Sequence, residues 1–192
     1  SSPELFDALR AIRDRGDLDY RAVDPLLDAL PHLEPEDAAA ALELLAPYRP
    51  TSLRSSLIAN LERSSHPAVR RASVEALSHY DDADAFERLY ALLDDRDAGV
   101  RAAAAHGLGK RAPLSWLPRF IERFGRPERT DRHQTLRIIA ALLERGALES
   151  APPIKRARIT DSLYQIVQGR RRRFASGAIH ALTVSRDAGA TE

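Results

Sequence analysis

The sequence predicts an all-α solenoid of about five antiparallel helix pairs followed by a terminal helix. Three observations carry that prediction. Apolar residues recur at the three- and four-residue spacing of amphipathic helices along nearly the whole chain. Prolines and glycines fall between these stretches, where helices start and stop. The middle of the chain also repeats itself, since Val69, Arg70, Ala72 and Leu77 return as Val100, Arg101, Ala103 and Leu108 after 31 residues. A fixed period of that size marks units that bury their apolar faces only by stacking on their neighbours.

The elements follow in order. A helix with Leu5, Leu9 and Ile12, closed by Gly16, pairs with one over Tyr20 to Leu30 that turns Val23, Leu26, Leu27 and Leu30 inward. Pro31 stops it, and Glu34-Pro35-Glu36-Asp37 starts the next, with proline in the first turn and acids at the positive end of the helix dipole. That helix carries Ala41, Leu42 and Leu45; Pro47 and Pro50 bracket a turn, and Leu53, Leu57, Ile58 and Leu61 mark the return. The third pair runs over Pro67 to His79 and then through Phe86, Leu89, Tyr90, Leu92 and Leu93, with Asp84 and Glu87 predicting a capping box.

The fourth pair is Ala98 to Arg111, capped by Gly109, and Ser115 to Phe124, the most aromatic helix, with Trp116, Phe120 and Phe124. The fifth is Thr130 to Glu144 followed, after Pro152-Pro153, by Ile154 to Val167. Arg170 to Val184 is a terminal helix without a partner, either a cap or the cut edge of a longer array. One continuous domain over residues 1–184 and a polar tail over 185–192 are expected.

Composition narrows the function classes. Hydrophobic residues at 44% with charged residues at 30% exclude a disordered chain, and no apolar run approaches the ~18 residues of a spanning helix, so a soluble, cytoplasmic protein is expected. Ser1-Ser2-Pro3 has the look of a cleaved end or the start of an excised domain. Without cysteine there is no disulfide, thiolate metal site or cysteine nucleophile. Charge is uneven. Through Ser64 twelve acids stand against seven arginines, whereas from Arg129 onward twelve basic residues stand against six acids. In a solenoid such a gradient is a dipole along the molecule and suits head-to-tail self-association.

Pro67-Ala68-Val69-Arg70-Arg71-Ala72-Ser73-Val74-Glu75-Ala76-Leu77 and Asp97-Ala98-Gly99-Val100-Arg101-Ala102-Ala103-Ala104-Ala105-His106-Gly107-Leu108-Gly109 resemble HEAT repeats, most closely the short HEAT-like repeats first noticed in phycobilisome lyases. The resemblance implies a right-handed α-α superhelix. It also implies a ladder in which an aspartate of the inter-unit turn, Asp97, and Arg101 one helical turn later tie neighbouring units. The first copy keeps Arg70 but has His66 at the aspartate position. Independently of the family, Arg70 and Arg101 carry planar donor forks suited to turn carbonyls and carboxylates in a partly buried seam.

Several motifs invite chemistry and do not support it. Gly107-Leu108-Gly109-Lys110 lacks the upstream glycine and following serine or threonine of a phosphate loop. Asp81, Asp82 and Asp84 have Phe86 where the next calcium ligand belongs, and read instead as helix caps. The six histidines form no i, i+4 pair, so no metal site and no cofactor is expected. No nucleophile pairs with a base, and the chain does not read as an enzyme. Family analogy alone suggests a lyase or a glycosylase using Trp116 with Arg119 and Arg123, although Trp116 is expected in the core.

The leading expectation is a non-enzymatic scaffold that binds a protein partner along its concave face, lined by the second helix of each pair. Its outward residues are Arg54, Glu87, Arg88, Arg119, Arg123, Lys155 and Arg158. The alternative is nucleic-acid binding through the phosphate backbone by Lys155, Arg156, Arg158, Arg170, Arg171, Arg172 and Arg173. Four adjacent arginines at the positive end of a helix dipole point to an anionic partner.

Overall fold

The computed structural model describes residues 20–126 and 132–168, together with Ile12, which lies in a helix. From Tyr20 onward the described residues form nine α-helices and no strands. The chain forms two compact units, Ser1–Gly107 and Leu108–Glu192, with the division inside one helix.

The first unit holds α1 (Val23–Ala29), α2 (Pro35–Leu45), α3 (Thr51–Arg63), α4 (Pro67–Leu77), α5 (Ala83–Ala91) and most of α6 (Ala98–Arg111). These are the sequence-predicted helices to within about a turn. Proline opens α2 and α4, where its missing N–H costs nothing. Between α2 and α3 the chain makes a 3-10 turn and then places Arg49 at φ 48°, a left-handed residue that reverses direction. Leu42, Leu45, Leu53, Leu57, Leu77 and Leu89 are wholly buried and form the core.

First and second helices of the pairs differ in exposure. Seven of eleven residues are buried in α2 and again in α4, against three of nine in α5. The first helices are packed on several sides, α4 against α2, α3 and α5 together. The second helices bury one stripe, such as Ala85, Phe86 and Leu89, and leave the rest to solvent. Small residues permit the crowding. A Cβ on Gly107 would lie 2.7 Å from the Ser78 Cβ, so α6 passes the end of α4 at glycine distance.

Arginine holds the turns. Arg70 donates from Nη1 to the Ser64 and Ser65 carbonyls at 3.1 and 3.2 Å, and Arg101 does the same with Asp95 and Arg96 at 2.9 and 3.1 Å. Both occupy the fourth position of a helix and reach the two carbonyls that the preceding turn leaves without helical donors. The ladder between units is built differently from the family expectation. Asp97 caps α6, accepting from the Gly99 and Val100 amides, and Asp95 reaches back to Arg70 of the unit before. The ladder aspartate is therefore Asp95, whose carboxylate also accepts from the Asp97 amide at 2.8 Å and is held by the turn in reach of Arg70.

Two further expectations are corrected. Asp82, not Asp84, is the N-cap of α5, its carboxylate accepting from the Ala85 amide at 3.0 Å. Gly109 does not cap α6, which continues to Arg111. It is a contact point instead, for a Cβ there would lie 3.2 Å from the Ala141 Cβ.

The second unit contains the end of α6, α7 (Leu117–Gly125), α8 (Arg132–Glu144) and α9 (Pro153–Gln168). α7 packs against both α8 and α9. Its core is Leu108, Leu117, Phe120, Ile138, Ile139, Leu142 and Leu163. After α8 the chain turns through Gly146 at φ 84°, a conformation that glycine adopts without strain. Arg145, just before it, donates to the Gly109 and Ala112 carbonyls at 3.1 and 2.9 Å and so closes the carboxyl end of α6 from the end of α8. The terminal helix expected over Arg170 to Val184, the helix around Leu5 and the tail lie outside the described residues.

Candidate partner-binding groove

The second helices carry the residues singled out for binding, and the structure treats them unequally. In the first unit, Arg54 of α3 donates from Nη2 to Asp82 and Asp84, both at 2.8 Å, across to the start of α5. Arg88 of α5 pairs with Asp84 at 3.1 Å and with Glu62 of α3 at 3.8 Å. Hydrogen bonds from Arg88 and then from Arg54 hold the Asp84 carboxyl below the usual carboxylate range. Arg54 is pushed up in turn, chiefly by Asp84. The network links α3 to α5 and leaves a polar surface of mixed charge, with Glu87 exposed beside it.

In the second unit the surface opens. A cavity of about 700 Å³ lies between α7 and α9. Leu114, Pro118 and Ile121 form one wall, Ile159 part of the other, and Ala147 and Ala151 of the connecting turn lie with them in the lining. Lys155 and Arg158 line it from α9 and Glu122 from α7. The spacing of Leu114, Pro118 and Ile121 places them on one face of the chain entering α7, about a quarter-turn round from the buried Leu117, Phe120 and Phe124.

The charges of the groove do not cancel. Glu122 pairs with Arg126 at 2.7 Å on its own helix. Lys155 and Arg158 are exposed and make no ion pair among the described residues. Two hydroxyls of the lining are turned to their own backbone, Ser162 to the Arg158 carbonyl at 2.9 Å and Ser150 to that of Gly146. The groove therefore offers apolar walls and two cations.

Other sequence-predicted residues stand elsewhere. Arg123 is 2% exposed and is not an outward residue. It falls on the inward stripe of α7 between Phe120 and Phe124, where helical spacing puts every third or fourth side chain. Trp116 is half-buried rather than in the core, its ring covered by the Arg119 guanidinium at 4.4 Å and 6.3 Å from that of Phe120. It does not line the cavity. Arg156 hydrogen-bonds the Glu149 and Ala151 carbonyls at 2.9 and 3.4 Å, the turn-holding task of Arg70 and Arg101 again at the fourth position of a helix. Arg170, Arg171, Arg172 and Arg173 lie outside the described residues. Among the described residues no group of three or more His, Asp or Glu side chains is placed to hold a metal ion, and no helix is long and apolar enough to cross a membrane.

The sequence model of the HEAT repeats matches residues 23–109 and 54–163, most of the chain. The chain belongs to the HEAT-repeat family. Its all-α solenoid has a likeness among solved structures to the crystal structure of an engineered protein from a structural genomics consortium. That likeness has 20% sequence identity and a TM-score of 0.52, and covers 95% of this chain and 84% of the other. At that identity it shows the fold alone. No curated protein matches.

Leu114, Pro118 and Ile121 are the functional candidates that sequence reasoning missed. Their signal was present as an apolar stripe that widens the helix's hydrophobic face beyond the stripe that fills the core.

Proposed function

We propose that this HEAT-repeat chain is a non-catalytic scaffold that binds a protein partner along its second helices. The observation that carries this is the groove between α7 and α9, an apolar cavity of about 700 Å³ on the second-helix side, edged by Lys155 and Arg158. HEAT repeats generally serve as protein-binding scaffolds. The division of labour between helices supports the same reading. Helices buried on several sides have little left to offer a partner, whereas α5 keeps most of its surface free. Arg54, Glu87, Arg88, Arg119, Lys155 and Arg158 are the proposed contact residues, and Arg123 is withdrawn because it is buried.

A photo-cross-linking scan in the native host tests this. A benzoylphenylalanine at Glu87, Arg119, Lys155 or Arg158 should capture the same partner, while the exposed first-helix positions Arg71 and Arg137 should capture none. Capture from Arg71 and Arg137 alone would remove the proposal.

A further inference from the structure

We infer that the α7–α9 groove receives an acidic amphipathic helix of a partner protein, with its apolar face against Leu114, Pro118, Ile121 and Ile159 and two carboxylates on Lys155 and Arg158. The inference rests on the scaffold function proposed above and specifies the chemistry of what is bound.

Charge decides the sign of the occupant. Of the three charged side chains in the lining, Glu122 is already neutralised by Arg126 at 2.7 Å, and Lys155 and Arg158 have no acid within ion-pair distance among the described residues. Asp161, one turn beyond Arg158, pairs with neither. Ser150 and Ser162 are committed to carbonyls of their own segments, so the two cations are the main polar groups left to recognise a ligand. An apolar occupant would leave them at the edge of a dry interface, and a basic one would be repelled. An acidic occupant compensates both.

Spacing decides the shape. Lys155 and Arg158 are three residues apart on α9, about 4.5 Å along the helix axis. Carboxylates at i and i+3 of a second helix lying along α9 are separated by about the same rise, whereas successive side chains on one face of an extended strand are about 6.6 Å apart. The apolar wall is a helical ridge, with Leu114, Pro118 and Ile121 at four- and three-residue steps, the kind of ridge against which the side-chain rows of a second helix pack. Ala147, Ala151 and Ser115 in the lining are small, which leaves room for the ligand's larger side chains.

The test is a display library of about 16-residue helix-biased segments, long enough to hold roughly four turns, panned on the intact chain. Enriched segments should carry an Asp or Glu pair one turn apart opposite a stripe of Leu, Ile or Phe. The double variant K155E/R158E should keep the wild-type circular dichroism and melting temperature, because both side chains are exposed, and should bind these segments about tenfold or more weakly. Segments with their acids changed to lysine should recover binding to K155E/R158E. Enrichment without acids, no enrichment, or binding unchanged in K155E/R158E overturns the inference. So does enrichment of sequences matching the acidic first 64 residues of this chain, which would make the occupant a second copy. Segments that bind unchanged and footprint on α3 and α5 would remove this inference while leaving the scaffold function standing. Absence of enrichment together with the failed cross-linking pattern removes both.

Discussion

Asp95 accepts a hydrogen bond from Arg70 Nη2 at 3.2 Å, a pair in which the arginine side chain is 3% exposed and the aspartate 12%. The same arginine grips the Ser64 and Ser65 carbonyls, so one side chain joins the turn before α4 to the turn before α6. Burial makes the pair sensitive to the loss of either member. Asp95→Ala leaves a guanidinium in a dry seam with only carbonyls to satisfy it, and should cost about 2–4 kcal/mol of unfolding free energy. Arg70→Lys should cost nearly as much, because Nη1 holds the carbonyls and Nη2 the carboxylate, and a single ammonium nitrogen cannot occupy both places. Urea denaturation of the two single variants and the double variant should give a coupling free energy well above that of the exposed Arg71–Glu75 pair, which stands at 3.8 Å.

Gly107 presents the opposite case, in which adding atoms is harmful. Alanine there gains about 1 kcal/mol of helix propensity. Its Cβ, however, would lie 2.7 Å from the Ser78 Cβ, a backbone-bound atom that cannot swing aside. Overpacking should prevail, and Gly107→Ala should be destabilised by about 1–2 kcal/mol net in chemical denaturation. Gly125→Ala has nothing within 4 Å of the new methyl and serves as the control, expected within about 0.5 kcal/mol of the parent.

The Asp84 carboxyl titrates below the usual aspartate range because Arg88 and then Arg54 donate to it. A carboxyl whose folded pKa is depressed adds stability at pH values above its unfolded pKa, and that contribution disappears as pH falls through the folded pKa. The loss therefore belongs to the acid side of the ordinary aspartate range, and neutral pH leaves the contribution intact. Carboxyl NMR titration should find Asp84 with a depressed midpoint. Arg88→Ala should raise that midpoint, and Arg54→Ala should raise it by a smaller amount.

Arg145 closes α6 by donating to the Gly109 and Ala112 carbonyls, two groups that a helix end leaves without internal donors. Arg145→Ala should cost about 1–3 kcal/mol, the range for hydrogen bonds from charged donors. Hydrogen exchange should show faster opening in the last turn of α6 and at the turn through Gly146, with α4 unaffected.

The helices were legible because burial of one stripe per helix writes itself into the spacing of Leu, Ile, Val and Ala, from Leu42 and Leu45 to Leu142 and Leu143. The turns were less so. Asp94, Asp95 and Asp97 are chemically alike in sequence, and only the backbone of the turn decides that Asp97 caps while Asp95 crosses the seam. The same ambiguity set Asp84 against Asp82. Gly109 looked like a helix end because glycine serves both ends and close contacts, and the neighbour that requires it, Ala141, is remote in sequence. For the groove, Lys155 and Arg158 were identified by charge, but its walls were not. An apolar stripe facing solvent and one facing the core have the same period, and their difference lies in where the next helix stops.

The repeat register has a mechanical consequence. Ser64 stands one period before Asp95, and its hydroxyl accepts from the His66 amide as the Asp95 carboxylate accepts from the Asp97 amide. The fourth residue of α2, however, is Ala38, where α4 has Arg70. The junction at Ser64 therefore lacks both halves of the tie that braces the junction at Asp95. The seam before α4 therefore rests on the packing of α2 and α3 against α4, whereas the seam at Asp95 adds a buried ion pair, so the two junctions resist bending through different contacts.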